Sequence, residues 1–196
     1  MNRPLTGIRI IALEQYMAGP YCSMLLADAG AEVIKIERPG LGDPRRSIPP
    51  FAEKGKKKKA GGFMAYNRNK KSLALNIRSD RGKKVFLDLA EKADVVVENL
   101  RPGSVDKMGI GYDTLKKINP ELIYAAISGF GRLDGFKGPD SHRPAFDIVA
   151  EAMSGIMNLV GYDDKPPSWT IYGMADIYSG LCTAYGIMQA LFMRER

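Results

Sequence analysis

Asp176 stands alone. Seventeen residues without a charge follow it, Ile177 to Met193, before Arg194-Glu195-Arg196. An aspartate at the head of such a run has two physical uses. Its side-chain oxygen can cap a helix by accepting first-turn N–H groups. The same carboxylate, kept ionised by the helix N-terminus and directed away from the apolar face, can attack an activated acyl group and form a covalent intermediate. Other chemistry is poorly provided for. His142 is the single histidine, which excludes a multi-histidine metal site. A serine or cysteine nucleophile would have that histidine alone as its base, and no G-x-S-x-G is present. Cys22 and Cys182 are too few for a disulfide framework, and Cys182, inside the apolar run, reads as core. Glu37 ends a strand-like segment where an acid could hold a ribose hydroxyl. The preceding turn, however, is "EQYMAGP" rather than G-x-G-x-x-G, and Pro20 has no N–H to offer a pyrophosphate.

The chain carrying these residues has 196 residues, 45% hydrophobic and 26% charged, enough for one domain with a real core. No apolar segment stands behind the opening "MNRPLTGIRI", so no signal peptide is expected. The uncharged run holds Ser179, Gly180, Thr183, Gly186 and Gln189 and falls short of the ~20 apolar residues of a membrane span. The expectation is a cytoplasmic protein with no membrane contact. The formal net charge of +7 implies a polyanionic partner. Nucleic acid is disfavoured, because neither aromatic interleaving nor a recognisable module accompanies the basic residues. The Lys56–Lys59 run in "EKGKKKKAGG" reads as a solvated loop.

Strand-like and helix-like segments alternate. "GIRIIALE" (7–14), "AEVIKIE" (31–37), "SLALNI" (72–77), "DVVVENL" (94–100) and "LIYAAIS" (122–128) have the short, β-branched character of buried strands. Helical patterns occupy 19–30, 79–93, 111–120 and 145–161, and a last helix starts near Ala175. The order predicts an α/β fold: a doubly wound, mostly parallel sheet with helices on both faces. Ligands of such sheets bind beyond the C-terminal strand ends. Arg38, Arg45, Arg46, Arg78, Arg101 and Lys107 all fall at or near those ends.

Four stretches then carry a resemblance: "PLTGIRIIALEQYMAGPYCSMLLADAGAEVIKIERPG", "NRNKKSLALNI", "ADVVVENLRPGSVDKMGIGYDTLKKINPELIYAAISGFG" and "ADIYSG". Together, in order and over nearly the whole chain, they resemble the family III CoA-transferases. The resemblance implies that Asp176, the acid of "ADIYSG", accepts the acyl group as an aspartyl mixed anhydride. The released CoA thiolate then makes an aspartyl-CoA thioester, which a carboxylic acid opens. It also implies coenzyme A, as acyl-CoA substrate, with no metal and no NAD. CoA would lie against Met17, Ala18, Arg38, Leu75, Arg78, Asn99, Leu100, Arg101 and Lys107.

Some positions depart from the family pattern. Met17 stands where some members carry glutamine, and Phe146 precedes Asp147 where a tyrosine is frequent. Family members run to roughly twice this length, so residues 1–196 are expected to be the N-terminal CoA-binding domain, without the second domain and C-terminal return. The implied partners are acyl-CoA, a carboxylic acid, and either further copies of the chain or a complementary second half. Two alternatives stay open. A 2-methylacyl-CoA racemase of the same superfamily needs a second acid/base group, and its histidine falls where Phe146 stands here. A half-length chain that only binds CoA is the other.

Overall fold

The computed structural model describes residues 3–54 and 57–196. In chain order the elements are β1 (Arg9–Leu13), α1 (Ala18–Asp28), β2 (Glu32–Glu37), a 3-10 turn (Pro44–Ser47), β3 (Phe51–Lys54), β4 (Lys57–Ala60) and α2 (Gly61–Tyr66). There follow β5 (Lys70–Ala74), α3 (Asp80–Ala90), β6 (Val95–Glu98), α4 (Ser104–Lys107), α5 (Tyr112–Ile118), β7 (Ile123–Ala126), α6 (Asp147–Met153) and α7 (Met174–Arg194). Five strands form one parallel sheet in the order β5-β2-β1-β6-β7. The chain winds outward from β1 through β2 to β5, then returns to the other side of β1 for β6 and β7. The winding reverses between β1 and β6, and the crevice of a doubly wound sheet opens at such a reversal.

Alternation along the strands builds a core on each face. Ile10 and Ala12 of β1, with Val95 and Val97 of β6, meet Cys22, Leu26 and Ala27 of α1 and Ala184, Ile187 and Leu191 of α7. Ile11, Leu13 and Val96 point the other way, onto Phe86 and Ala90 of α3 and Leu115 of α5. Each fully buried Ile or Phe contributes about 1.5–3 kcal/mol relative to exposure. Gly180 lets α7 lie close to α1, since a Cβ there would meet the Ala18 carbonyl oxygen at 2.6 Å.

Several elements differ from the sequence expectation. The lysine run is not a loop: Lys57–Ala60 is β4, antiparallel to β3, while Lys56 lies outside the described residues. The third strand of the main sheet is Lys70–Ala74, two residues earlier than expected, because Lys70 is drawn to buried acids at the strand ends. The helix expected over 145–161 stops at Met153, and Gly155, at φ 79°, turns the chain into a short 3-10 turn (Ile156–Asn158). Cys182 is exposed rather than core, whereas Cys22 is fully buried, its thiol pushed up to about 12 by burial. The outer face of α7 leaves Tyr178, Leu181, Tyr185 and Phe192 exposed at helical spacing. Among the described residues no helix is long and apolar enough to cross a membrane.

Candidate active site

The strand ends are organised by buried charge. Glu14, at the end of β1, receives Lys70 Nζ at 2.8 Å and the Ser23 hydroxyl at 2.7 Å. Lys35 of β2 lies 3.5 Å from Glu14 and 2.9 Å from Asp43 Oδ2. Burial alone would raise the Glu14 carboxyl, but Lys70 and Lys35 hold it below the usual carboxylate range. Asp43 is spent on geometry. Its Oδ1 accepts the backbone N–H of Arg45 at 2.9 Å and of Tyr16 at 3.2 Å. Tyr16 sits at φ 64°, a left-handed conformation that a bulky residue keeps only when its surroundings impose it. Glu37 is committed too, to Arg46 through two 2.7 Å bonds, to the Ser72 hydroxyl and to the Asp43 N–H. Despite burial, those donors bring Glu37 down to about 2. It is a buried bracket for the 43–47 turn, with no oxygen standing free for a ribose.

The loop fixed in this way walls a cavity of about 220 Å³ lined by Tyr16, Met17, Arg45, Ile48, Phe146, Asp147, Ile148, Trp169, Tyr172, Gly173 and Asp176. Asp176 is the third residue of α7 and does not cap it. Gly173, at φ 83°, occupies the N-cap position, and the capping oxygens come from Asp147 of α6. Asp147 accepts the N–H groups of Gly173 at 3.0 Å, Ala175 at 2.7 Å and Asp176 at 3.3 Å. With the first-turn donors taken by Asp147, the Asp176 carboxylate accepts no hydrogen bond from the described residues. Half-buried and facing that second carboxylate, it is pushed up to about 6, first by burial and then by Asp147. It remains mostly ionised at neutral pH yet is more basic, and so more nucleophilic, than an ordinary aspartate.

The residues expected to contact CoA fall into two groups. Met17 lines the cavity with Asp176, its sulfur packed under Gly173, where a Cβ would meet it at 2.3 Å. Ala18 is buried behind it, at the start of α1. Asn99 spans the winding reversal, accepting Gln15 N–H and donating to Gln15 C=O, both at 2.8 Å. Arg38, Leu75, Arg78, Leu100, Arg101 and Lys107 do not line the cavity. They follow the C-terminal ends of β2, β5 and β6 along the outer crevice. Leu75 and Leu100 rest partly buried on the α3-side core, and the side chains of Arg38, Arg78, Arg101 and Lys107 are exposed without a partner among the described residues.

Sequence reasoning missed Asp147 as the trans cap, and Trp169 and Tyr172 as walls. The adjacent Phe146-Asp147 pair was the available signal for the first; the two aromatics carried none. Phe146 lies edge-on to Tyr16 at 5.6 Å, so the side chain beside Asp147 has no proton to give. His142 is exposed and does not line the cavity. Among the described residues no group of acids, cysteines and histidine is arranged to hold a metal.

Comparison with known proteins agrees with this architecture. The chain is 46% identical over 196 residues to the succinyl-CoA:mesaconate CoA-transferase of Haloarcula marismortui, covering 98% of this chain and 48% of that relative. It is 44% identical to the succinyl-CoA:glutarate CoA-transferase of Mus musculus, over 99% of this chain and 43% of that relative. The crystal structure of a CAIB/BAIF family protein from Brucella suis superposes with a TM-score of 0.93 at 40% identity, over 100% of this chain and 51% of that one. The chain thus spans about half the length of the curated relatives it matches. The family model "CoA-transferase family III" matches residues 5–196, and the chain belongs to that family.

Proposed function

We propose that the chain is the CoA-binding half of an enzyme that moves CoA from an acyl-CoA to a free carboxylic acid, with Asp176 as the covalent carrier. The observation that carries the reading is the Asp176 carboxylate, facing the cavity with no hydrogen-bond partner among the described residues and raised in basicity. One of its oxygens attacks the thioester carbonyl, the C–S bond breaks, and CoA leaves as thiolate from an aspartyl anhydride. The thiolate attacks the aspartyl carbonyl of that anhydride, releasing the donor acid and leaving an aspartyl-CoA thioester. The acceptor carboxylate repeats the sequence in reverse and departs as its CoA ester, restoring Asp176. Anhydride and thioester are both activated acyl groups, so each exchange is near balance. The thiolate meets the exposed cations Arg38, Arg78, Arg101 and Lys107 through the phosphates of its own nucleotide. Met17, Ala18, Leu75, Asn99 and Leu100 form the apolar and amide wall between.

Completion of the site by a further copy of this chain, or by a complementary second half, belongs to the same reading. It is supported by the half-length match and by the bare outer face of α7. The test is chemical trapping. Active protein incubated with acyl-CoA and then hydroxylamine or borohydride should be modified at Asp176 alone, and failure to label it removes the mechanism. Racemisation would instead place solvent deuterium α to the thioester of a 2-methylacyl-CoA without any acceptor acid. Phe146 in the cavity wall argues against that outcome.

A further inference from the structure

Attack by Asp176 on a thioester puts negative charge on the carbonyl oxygen, and the reaction needs a donor aimed at it. The first turn of α7 offers none from its backbone. The N–H groups of Gly173, Ala175 and Asp176 go to Asp147, and those of Met174 and Ile177 to the Ile171 and Gly173 carbonyls. Among the lining side chains, Trp169 Nε1 already donates to the buried Glu151 carboxylate at 3.1 Å. Arg45 is buried, and its Nε edge is packed on Gly62, where a Cβ would stand 2.4 Å from Nε and 2.3 Å from Nη2. Its remaining nitrogen, Nη1, donates to the Tyr172 hydroxyl at 2.9 Å.

A phenol has one proton to give and lone pairs to receive with, whereas a guanidinium can only donate. Arg45 therefore fixes the Tyr172 oxygen as an acceptor, and no described residue takes the Tyr172 proton. Hydrogen bonds in series polarise one another, so a phenol that receives from a cation is a stronger donor than a free one. The ring is also held by Trp169, which meets it edge-on with centroids 5.6 Å apart. Glu151 in turn fixes Trp169 and Thr170, accepting the indole N–H at 3.1 Å, the Thr170 N–H at 3.1 Å and its hydroxyl at 2.8 Å. Tyr172 is 57% exposed and lines the same cavity as Asp176, so a bound thioester can reach it.

We propose that Tyr172 is a catalytic residue: its hydroxyl, oriented by Arg45, donates a hydrogen bond to the thioester oxygen as Asp176 attacks. The inference rests on the Asp176 reading and adds an oxyanion donor to it. As an Asp176 oxygen bonds to the thioester carbon, the C=O π pair moves onto the carbonyl oxygen. Tyr172 stabilises that oxyanion without surrendering its proton. The pair then re-forms the C=O bond, the C–S bond breaks, and CoA leaves as thiolate from the anhydride. Arg45 touches no reacting atom and is a positioning residue, acting through the phenol.

The experiment uses the active protein with succinyl-CoA as donor and glutarate as acceptor, and compares wild type with Tyr172→Phe. Phenylalanine keeps the ring beside Trp169 and removes the hydroxyl alone. In this variant kcat should fall by on the order of 100-fold with KM for succinyl-CoA unchanged, because the bond is made in the transition state. Arg45→Gln should lower kcat in the same way, and adding it to Tyr172→Phe should cost little more, since the two act as one unit. An unchanged kcat in Tyr172→Phe overturns the proposal, as does a rise in KM alone, which would make the hydroxyl a ground-state contact. A double variant that loses the product of the two single falls also overturns it, because Arg45 would then act without Tyr172. Labelling of Asp176 by succinyl-CoA and hydroxylamine is timed in parallel, and should be slowed in Tyr172→Phe. Labelling at the wild-type rate leaves the Asp176 mechanism standing and removes Tyr172 from it. If wild-type Asp176 is not labelled at all, the mechanism itself fails.

Discussion

Two carboxylates divide one helix terminus between them. Asp147 takes the N–H groups of Gly173, Ala175 and Asp176, which leaves Asp176 beside a negative charge and partly out of water. A carboxyl raised to about 6 in the folded chain binds its proton more tightly there than when unfolded. Between the ordinary carboxylate value and about 6 the native state therefore holds more protons, and stability falls as pH rises through that window. Asp176→Asn removes this penalty. It should abolish transfer yet melt higher than wild type at pH 7, with the gain vanishing near pH 4. Thermal melts at the two pH values check this. Transfer by wild type should rise with pH through about 6 and level above 7, and Asp147→Asn should move that limb to lower pH. An unmoved limb would detach the titration from this pair. The sequence made Asp176 conspicuous through the empty run behind it. It could not show which of two acids 29 residues apart would cap the helix, because that depends on how α6 meets α7.

Helices α1 and α7 are held at close range by a missing side chain. Gly180 faces the Ala18 carbonyl, and an added methyl group would stand 2.6 Å from that backbone oxygen. Neither helix can retreat without opening the core of Cys22, Leu26, Ala184 and Ile187 between them. Gly180→Ala should destabilise the fold by about 1–3 kcal/mol, the usual cost of overpacking, despite the better helix propensity of alanine. Denaturant titration reads the loss directly. Strands β1, β2 and β6 were legible because each is a short apolar run with an interior on both faces. The β3–β4 pair was not. Lysines at 57–59 have no apolar period, and Phe51 of β3 is itself largely exposed. That hairpin is defined by backbone pairing, which leaves no compositional trace. The shift of β5 has a similar cause, since Lys70 looks like surface until Glu14 is seen waiting for it.

Across the molecule, positive charge is sorted by depth. Lys35, Lys70, Arg45 and Arg46 are drawn inward, where Glu14, Glu37 and Asp43 have already claimed all but Arg45. Arg38, Arg78, Arg101 and Lys107 stay in water beyond the strand ends, with no ion pair among the described residues. This outer set is open to an incoming polyanion, and its strength must depend on solvent. Exposed charges interact over roughly 8 Å at physiological ionic strength, so salt screens each contact. CoA should therefore bind the chain more weakly as salt rises from 50 to 300 mM. Arg38→Ala and Lys107→Ala should each weaken binding by about 1 kcal/mol, roughly fivefold, at low salt, and by less at high salt. Lys71 of β5, paired with Glu32 of β2 at 2.5 Å, serves as the matched control. Its alanine variant removes the same charge from the molecule and should leave CoA affinity where it was. Titration calorimetry at both salt concentrations separates the two results. Equal weakening by Lys71→Ala and Lys107→Ala would reduce the crevice to a share of the overall +7. Unequal weakening fixes the CoA phosphates to the strand ends, with the thioester running inward past Met17 toward Asp176.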